Sequence, residues 1–286
     1  MHNYYYSAHS DDGIYTDLAV ERGRADTALG GVRYEKTLCL PGNWEEVKIT
    51  SEAGAKSIGR PIGTYSTLSV RRLDTLDEDE LLDTQEEIAK KLCEIFDDIS
   101  VLPARILVVG LGNRSLTPDS VGTKCASLVK PTMHIREYDE EYFDSLECSE
   151  IAVFSPGVTA LTGMDSGMLV KSVCESIRPD AIIAVDSLAT RSRSRLGTTF
   201  QISDTGIFPG GMGNLKTPIT RGGVGVPVIG IGVPTVIDSR LFVRESRISE
   251  IDFEPMFISP REIDEITDNA AFVIGGAINQ AFGLFS

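Results

Sequence analysis

An α/β fold built on a doubly wound, mostly parallel sheet flanked by helices is what this sequence predicts, and three observations predict it. Four continuous apolar runs, ILVVG (106–110), IAVF (151–154), AIIAVD (181–186) and VPVIGIGV (226–233), have the composition of strands buried on both faces. Helical patterns lie between them, so that each strand-helix-strand unit is expected to be a right-handed crossover. At 286 residues and 42% hydrophobic content the chain carries enough apolar side chain for a large core without disulfides.

The elements follow in order. Residues 1–16 are polar, aromatic and irregular, and read as a loosely held arm. EEVKIT (45–50) and TYSTLSV (64–70) alternate apolar with polar at period two and read as strands on either side of a short helical SEAGAKSIG. Over 77–99 acids crowd the first turn, and Leu81, Ile88, Leu92, Ile95 and Ile99 recur at helical spacing. Val121, Cys125 and Leu128 after Pro118, and Leu169, Val173 and Ile177 before Pro179, mark two crossover helices. A closing helix is predicted to start with Ser259 as cap, Pro260 at its first position and Glu262 completing a capping box. There is no internal repeat and no low-complexity linker.

Composition narrows the function. The cysteines, Cys39, Cys93, Cys125, Cys148 and Cys174, are odd in number with no C-x-x-C pair, which argues against a disulfide framework and a zinc site and fits a reducing cytoplasm. A net charge of -15 repels phosphate backbones and anionic lipid, so no direct nucleic-acid partner is expected. No apolar run approaches the roughly 18 residues of a membrane span, and MHNYYYSAHSDDG lacks the basic and apolar regions of a signal peptide.

A glycine turn follows the first apolar strand in RILVVGLGNRSLTPDSVG (105–122). A dinucleotide fingerprint needs a third glycine three residues after the second, and here Gly110 and Gly112 are followed by Asn113, Arg114 and Ser115. A phosphate loop needs Gly-Lys-Ser/Thr, which is absent. The helix is expected to start late, with Thr117 as cap, Pro118 first and Asp119 in the first turn. Asp119 then has two readings, compensation of the helix dipole or a carboxylate held at a strand terminus. A second acid, Asp186, ends AIIAVD, and ligands of open parallel sheets gather past such strand ends. Two aspartates facing one cleft can share a proton, one polarising a carbonyl while the other activates water. Spacing alone leaves a second reading open, since many α/β enzymes carry strand-end acids that bind ribose or metal.

At these residues the chain resembles the germination protease, or spore protease, family of spore-forming bacteria. The resemblance runs through YTDLAVE (15–21), VKITSEAGAKSIG, VVGLGN with TPD (108–119), SPGVTALTGM (155–164), PDAIIAVDSLATRS (179–192), QISDTGI (201–207) and VPVIGIGVPTVID (226–238). It implies a phosphorylase/hydrolase-like fold, as in the hydrogenase-maturation peptidases. It also implies an endopeptidase that degrades small acid-soluble spore proteins during germination, located in the forespore or spore core. The family implies a self-processing zymogen, tetrameric, with Asp119 and Asp186 as the catalytic pair; no cofactor is expected. TDLAVE resembles the segments the family cuts, which places the self-processing bond between Asp17 and Leu18; an edge strand with an acidic start is the plainer reading of those residues. The domains so implied are an arm or propeptide, 1–17, and one peptidase domain, 18–286. Where the family carries a long connection before its closing helix, this chain has only 239–258, which bears on tetramer contacts.

Arg191, Arg193 and Arg195 form a cationic run in an acidic protein. Such a run is ordinarily a solvated face. An enzyme cutting after an acid also needs a cation near the bond, and the sequence offers Arg191 or Arg195 for that role. Asp204 is a reserve acid, equally explained by an Asx turn. Two alternatives are carried: a metal-dependent peptidase using the same carboxylates, for which only His2, His9 and His134 are available as imidazoles, and a non-catalytic nucleotide-binding module.

Overall fold

The computed structural model describes residues 15–23, 30–208, 217–241 and 256–283. Among these residues nine strands form one sheet: β1 (Val32–Leu38), β2 (Asn43–Ile49), β3 (Gly63–Ser69), β4 (Arg105–Gly110), β5 (Glu150–Phe154), β6 (Ala181–Thr190), β7 (Thr199–Ser203), β8 (Val228–Asp238) and β9 (Phe257–Ile258). Their order is β1-β2-β3-β7-β8-β6-β4-β5, with β9 paired to β8. The predicted α/β layering is present. The strands β5, β4, β6 and β8 are mutually parallel, and the strands on the other side, β7, β3, β2 and β1, run antiparallel to their neighbours.

Period-two alternation divides the side chains between two faces. On one face Ile106, Val108, Ile183, Val185, Ile229 and Ile231 pack under the helices Glu78–Asp98 and Ile263–Phe282. Asp77 starts the first of these with a complete capping box to Glu80. On the other face Leu107, Val109, Ile182 and Ala184 meet the helix Ser166–Ile177. Farther along that face, Val47, Ile49 and Tyr65 cover the helix Glu52–Ile58 and residues Leu18, Ala19 and Val20.

Four expectations are corrected. The closing helix begins at Ile263 with Glu262 as its cap and no side-chain cap bond, because Phe257 and Ile258 are drawn into β9 and leave Ser259 too early to cap it. Asp186 does not end its strand. The neighbour β4 stops at Gly110, opposite Val185, while β6 runs on to Thr190, so Asp186 stands where a crevice opens beside a continuing strand. Thr117–Asp119 is a separate 3₁₀ turn, and the helix proper is Val121–Ala126. The arm is not loose at its end, since Tyr15 and Thr16 are buried. Residues 1–14, with His2 and His9, and most of 239–258 lie outside the described residues.

Candidate active site

The glycine turn after β4 holds the chain's own backbone. Gly110 lets the next helix close in: a Cβ there would lie 2.2 Å from the Gly122 carbonyl oxygen. Gly112 has φ +97, and a Cβ on it would lie 2.0 Å from the Asp119 carbonyl oxygen. Residues 113–119 therefore fold back onto the turn, and the Asn113 N–H donates to both the carbonyl oxygen and Oδ2 of Asp119, each at 2.9 Å.

A bulge in β8 secures the same loop from the other side. The register of β6 on β8 shifts after the Leu188 and Pro234 pair, so that Ala189 pairs with Val236 and Thr235 is left over. Thr235 Oγ1 donates to the Pro118 carbonyl at 2.6 Å. Asp186, 8% exposed, accepts from the Ser187 N–H at 2.9 Å. Asp119 and Asp186 line one cavity of about 510 Å³, together with Tyr15, Asp17, Arg60 and Gln201.

The described end of the arm docks in this cavity. The Asp17 N–H donates to the Ala189 carbonyl at 2.8 Å, and the Ala189 N–H donates to Asp17 Oδ2 at 2.8 Å. Asp17 Oδ1 accepts from the Tyr15 hydroxyl at 2.6 Å and from Arg60 at 3.4 Å. Burial, and then the Asp17 charge, push the Tyr15 phenol far above its ordinary value, with Asp186 adding to the effect and Arg60 opposing it. Tyr15 therefore remains a donor. Beyond Asp17 the chain turns inward, and Leu18, Ala19 and Val20 are buried.

Arg195 pairs with Glu45 at 2.7 Å, within the fold. Arg191 and Thr190 meet Glu21 instead: the Thr190 hydroxyl donates to Glu21 Oε1 at 2.5 Å, the Arg191 N–H to Oε2 at 3.0 Å, and the Arg191 guanidinium to the Glu21 carbonyl at 2.7 Å. The cation on Asp17 is Arg60, one residue past the left-handed Gly59 cap of the helix Glu52–Ile58. Sequence reasoning missed it because GRPIG reads as turn chemistry and nothing local marks the arginine. Gln201 was missed likewise, inside the quoted QISDTGI.

Asp204 accepts from the Thr64 N–H at 2.8 Å, which ties the end of β7 to β3. Burial raises its carboxyl, outweighing the Thr64 hydrogen bonds and the Lys48 charge. A carboxyl raised in the folded state stabilises below its unfolded value, and that contribution is lost as pH climbs through the folded one. Asp204→Asn keeps an acceptor for Thr64 and removes the charge. The variant is expected to resist urea better than wild type at pH 7, with the gap closing near pH 4, in paired unfolding curves.

Among the described residues no group of three or more His, Cys, Asp or Glu is arranged to hold a metal ion, and no helix is long and apolar enough to cross a membrane.

The sequence profile of the germination protease family matches residues 17–253. A germination protease of Caldanaerobacter subterraneus subsp. tengcongensis is 36% identical over 309 residues, covering 94% of each chain. One from Clostridium perfringens is 31% identical over 312 residues, again 94% of each. Among solved structures, a NiFe hydrogenase maturation protease, HycI, from Thermococcus kodakarensis KOD1 is similar with 16% identity and a TM-score of 0.37, covering 66% of this chain and 99% of that one. With a profile spanning most of its length and relatives above 30% identity over nearly all of it, this chain belongs to the germination protease family.

Proposed function

We propose that this peptidase is a self-processing endopeptidase that cuts its own Asp17–Leu18 bond and then degrades small acid-soluble spore proteins in the germinating spore, using Asp119 and Asp186 to activate water. One observation carries the reading. The Asp17 backbone and carboxylate are held in the same cavity that Asp119 and Asp186 line, with the acid on a cation and a phenol.

The chemistry is hydrolysis. Water attacks the Asp17 carbonyl carbon, one aspartate takes a proton from it, and a proton reaches the Leu18 nitrogen as the C–N bond breaks. The products are the Asp17 α-carboxylate and a free Leu18 amine. In this reading the aspartate that holds a proton polarises the carbonyl while the other takes the proton from water.

Residues 1–17 then form the propeptide and 18–286 the peptidase domain. A homotetramer in the forespore or spore core completes the reading, on the family resemblance. Acid recognition divides between two places. Arg60 reads the acid before the cut, and Arg191 with Thr190 receives the acid four residues after it, while Arg195 serves the fold through Glu45.

The test is incubation of the purified chain with a small acid-soluble spore protein, followed by sequencing of new amino termini. A Leu18 terminus and substrate cuts after acidic residues are expected, unaffected by chelator. Activity that vanishes with chelator and returns with a divalent ion would favour the metal-dependent version of the same site. For recognition, Arg60→Gln and Asp17→Asn are each expected to slow processing about ten- to a hundredfold, the worth of a charge-assisted hydrogen bond. Combined, they are expected to cost little more than either alone. A preference for Glu over Gln peptides that narrows only in Arg191→Ala or Arg195→Ala would move the reader to those residues.

A further inference from the structure

Gln201 sits in β7, 8% exposed, with both ends of its amide engaged by the arm. Its Nε2 donates to the Asp17 carbonyl oxygen at 3.1 Å, and its Oε1 accepts from the Ala19 N–H at 2.8 Å. The partners fix the orientation of the amide, because a carbonyl needs the nitrogen and an N–H needs the oxygen. The two bonds flank Leu18, so this side chain clamps the Asp17–Leu18 bond from the carbonyl side. In the sheet register Gln201 and Asp186 both lie opposite Gly232, over which the Leu188 side chain packs.

We infer that Gln201 is a catalytic residue of the self-processing reaction, its Nε2–H stabilising the negative charge that develops on the Asp17 carbonyl oxygen. The inference rests on the Asp17–Leu18 reading above. When water adds to the carbonyl carbon, the C=O electron pair moves to oxygen, and a donor already aimed at that oxygen strengthens its bond as charge builds. Return of the pair expels the Leu18 nitrogen, which leaves with a proton. A neutral amide suits this place, since its donor holds the carbonyl without adding a charge to a cavity that already contains Asp17, Asp119 and Asp186.

Two variants separate donor from docking contact. Gln201→Met removes both bonds at similar size. Gln201→Glu keeps the acceptor for Ala19 and loses the donor at alkaline pH, where a buried carboxyl beside Asp17, Asp119 and Asp186 ionises, so the variants are compared there. Both precursors are expected to form the Leu18 terminus about a hundredfold more slowly than wild type, the usual loss for one oxyanion donor. On a peptide spanning residues 15–22 the loss is expected in kcat, with KM within a few-fold. Melting curves of both variants check the fold. A Glu variant that processes at the wild-type rate, or a Met variant that loses only KM, overturns the inference and leaves Gln201 as a docking contact. A wild-type chain that never yields a Leu18 terminus overturns the underlying reading, and the role of Gln201 falls with it.

Discussion

Asp119→Asn and Asp186→Asn are each expected to leave the chain folded and uncut at Leu18. Asparagine matches aspartate in shape and keeps an oxygen for the N–H bonds that hold the two side chains, from Asn113 to position 119 and from Ser187 to position 186. It cannot take a proton from water. Losing a positioned general base costs about a hundred- to ten-thousandfold in rate, and each variant should fall in that range. On the proposed mechanism the pair acts as one unit, so the double variant is expected to be little slower than the worse single one. Formation of the Leu18 terminus, followed by N-terminal sequencing beside melting curves, measures this. Either variant processing within roughly threefold of wild type would remove that acid from the chemistry, because a lost general base costs far more than that.

How much of this site the sequence discloses depends on whether a residue's task is local. The strands β4, β5, β6 and β8 are readable because burial on both faces leaves nothing but apolar residues in them. The two acids are readable because each follows such a run. β1 shows little, since most of its residues face outward at the sheet edge and carry no apolar stripe. β7 is fully buried, yet TFQIS reads as polar because its alternate side chains, Gln201 and Ser203, line the cavity instead of the core.

Arg60 and Gln201 belong to a different case. Their partners, Asp17 and Ala19, lie 43 and 182 positions away in the chain. No spacing rule links such residues, and only the closing of the antiparallel half of the sheet around the arm brings them together. Asp186 shows the intermediate case. Its place beside a crevice follows from the apolar run before it, whereas the four further residues of β6 that carry the arm follow from pairing with β8 past the end of β4. The Thr235 bulge, which holds the loop bearing Asp119, also arises from that longer pairing.

Gly112→Ala should both destabilise the fold and stop processing, and Gly163→Ala is its control. Both glycines have positive φ, +97 and +71, so an alanine at either incurs the left-handed penalty of about 1–2 kcal/mol. They differ in surroundings. Around Gly163 nothing lies within 4 Å of the added methyl, whereas at Gly112 it would stand 2.0 Å from the Asp119 carbonyl oxygen and 3.2 Å from its Oδ1. Backbone must move to relieve that overlap, and forced overpacking costs typically about 1–3 kcal/mol more. The total, about 2–5 kcal/mol, is a large part of the roughly 5–15 kcal/mol that holds a domain together. The atoms displaced are those of Asp119, so the bond from Asn113 is lost with them. Gly163→Ala should therefore melt only slightly earlier and process at the wild-type rate. Gly112→Ala should melt well below it and, at temperatures where it is still folded, fail to form the Leu18 terminus. Equal melting shifts and equal rates in the two variants would mean that the glycine turn does not position Asp119.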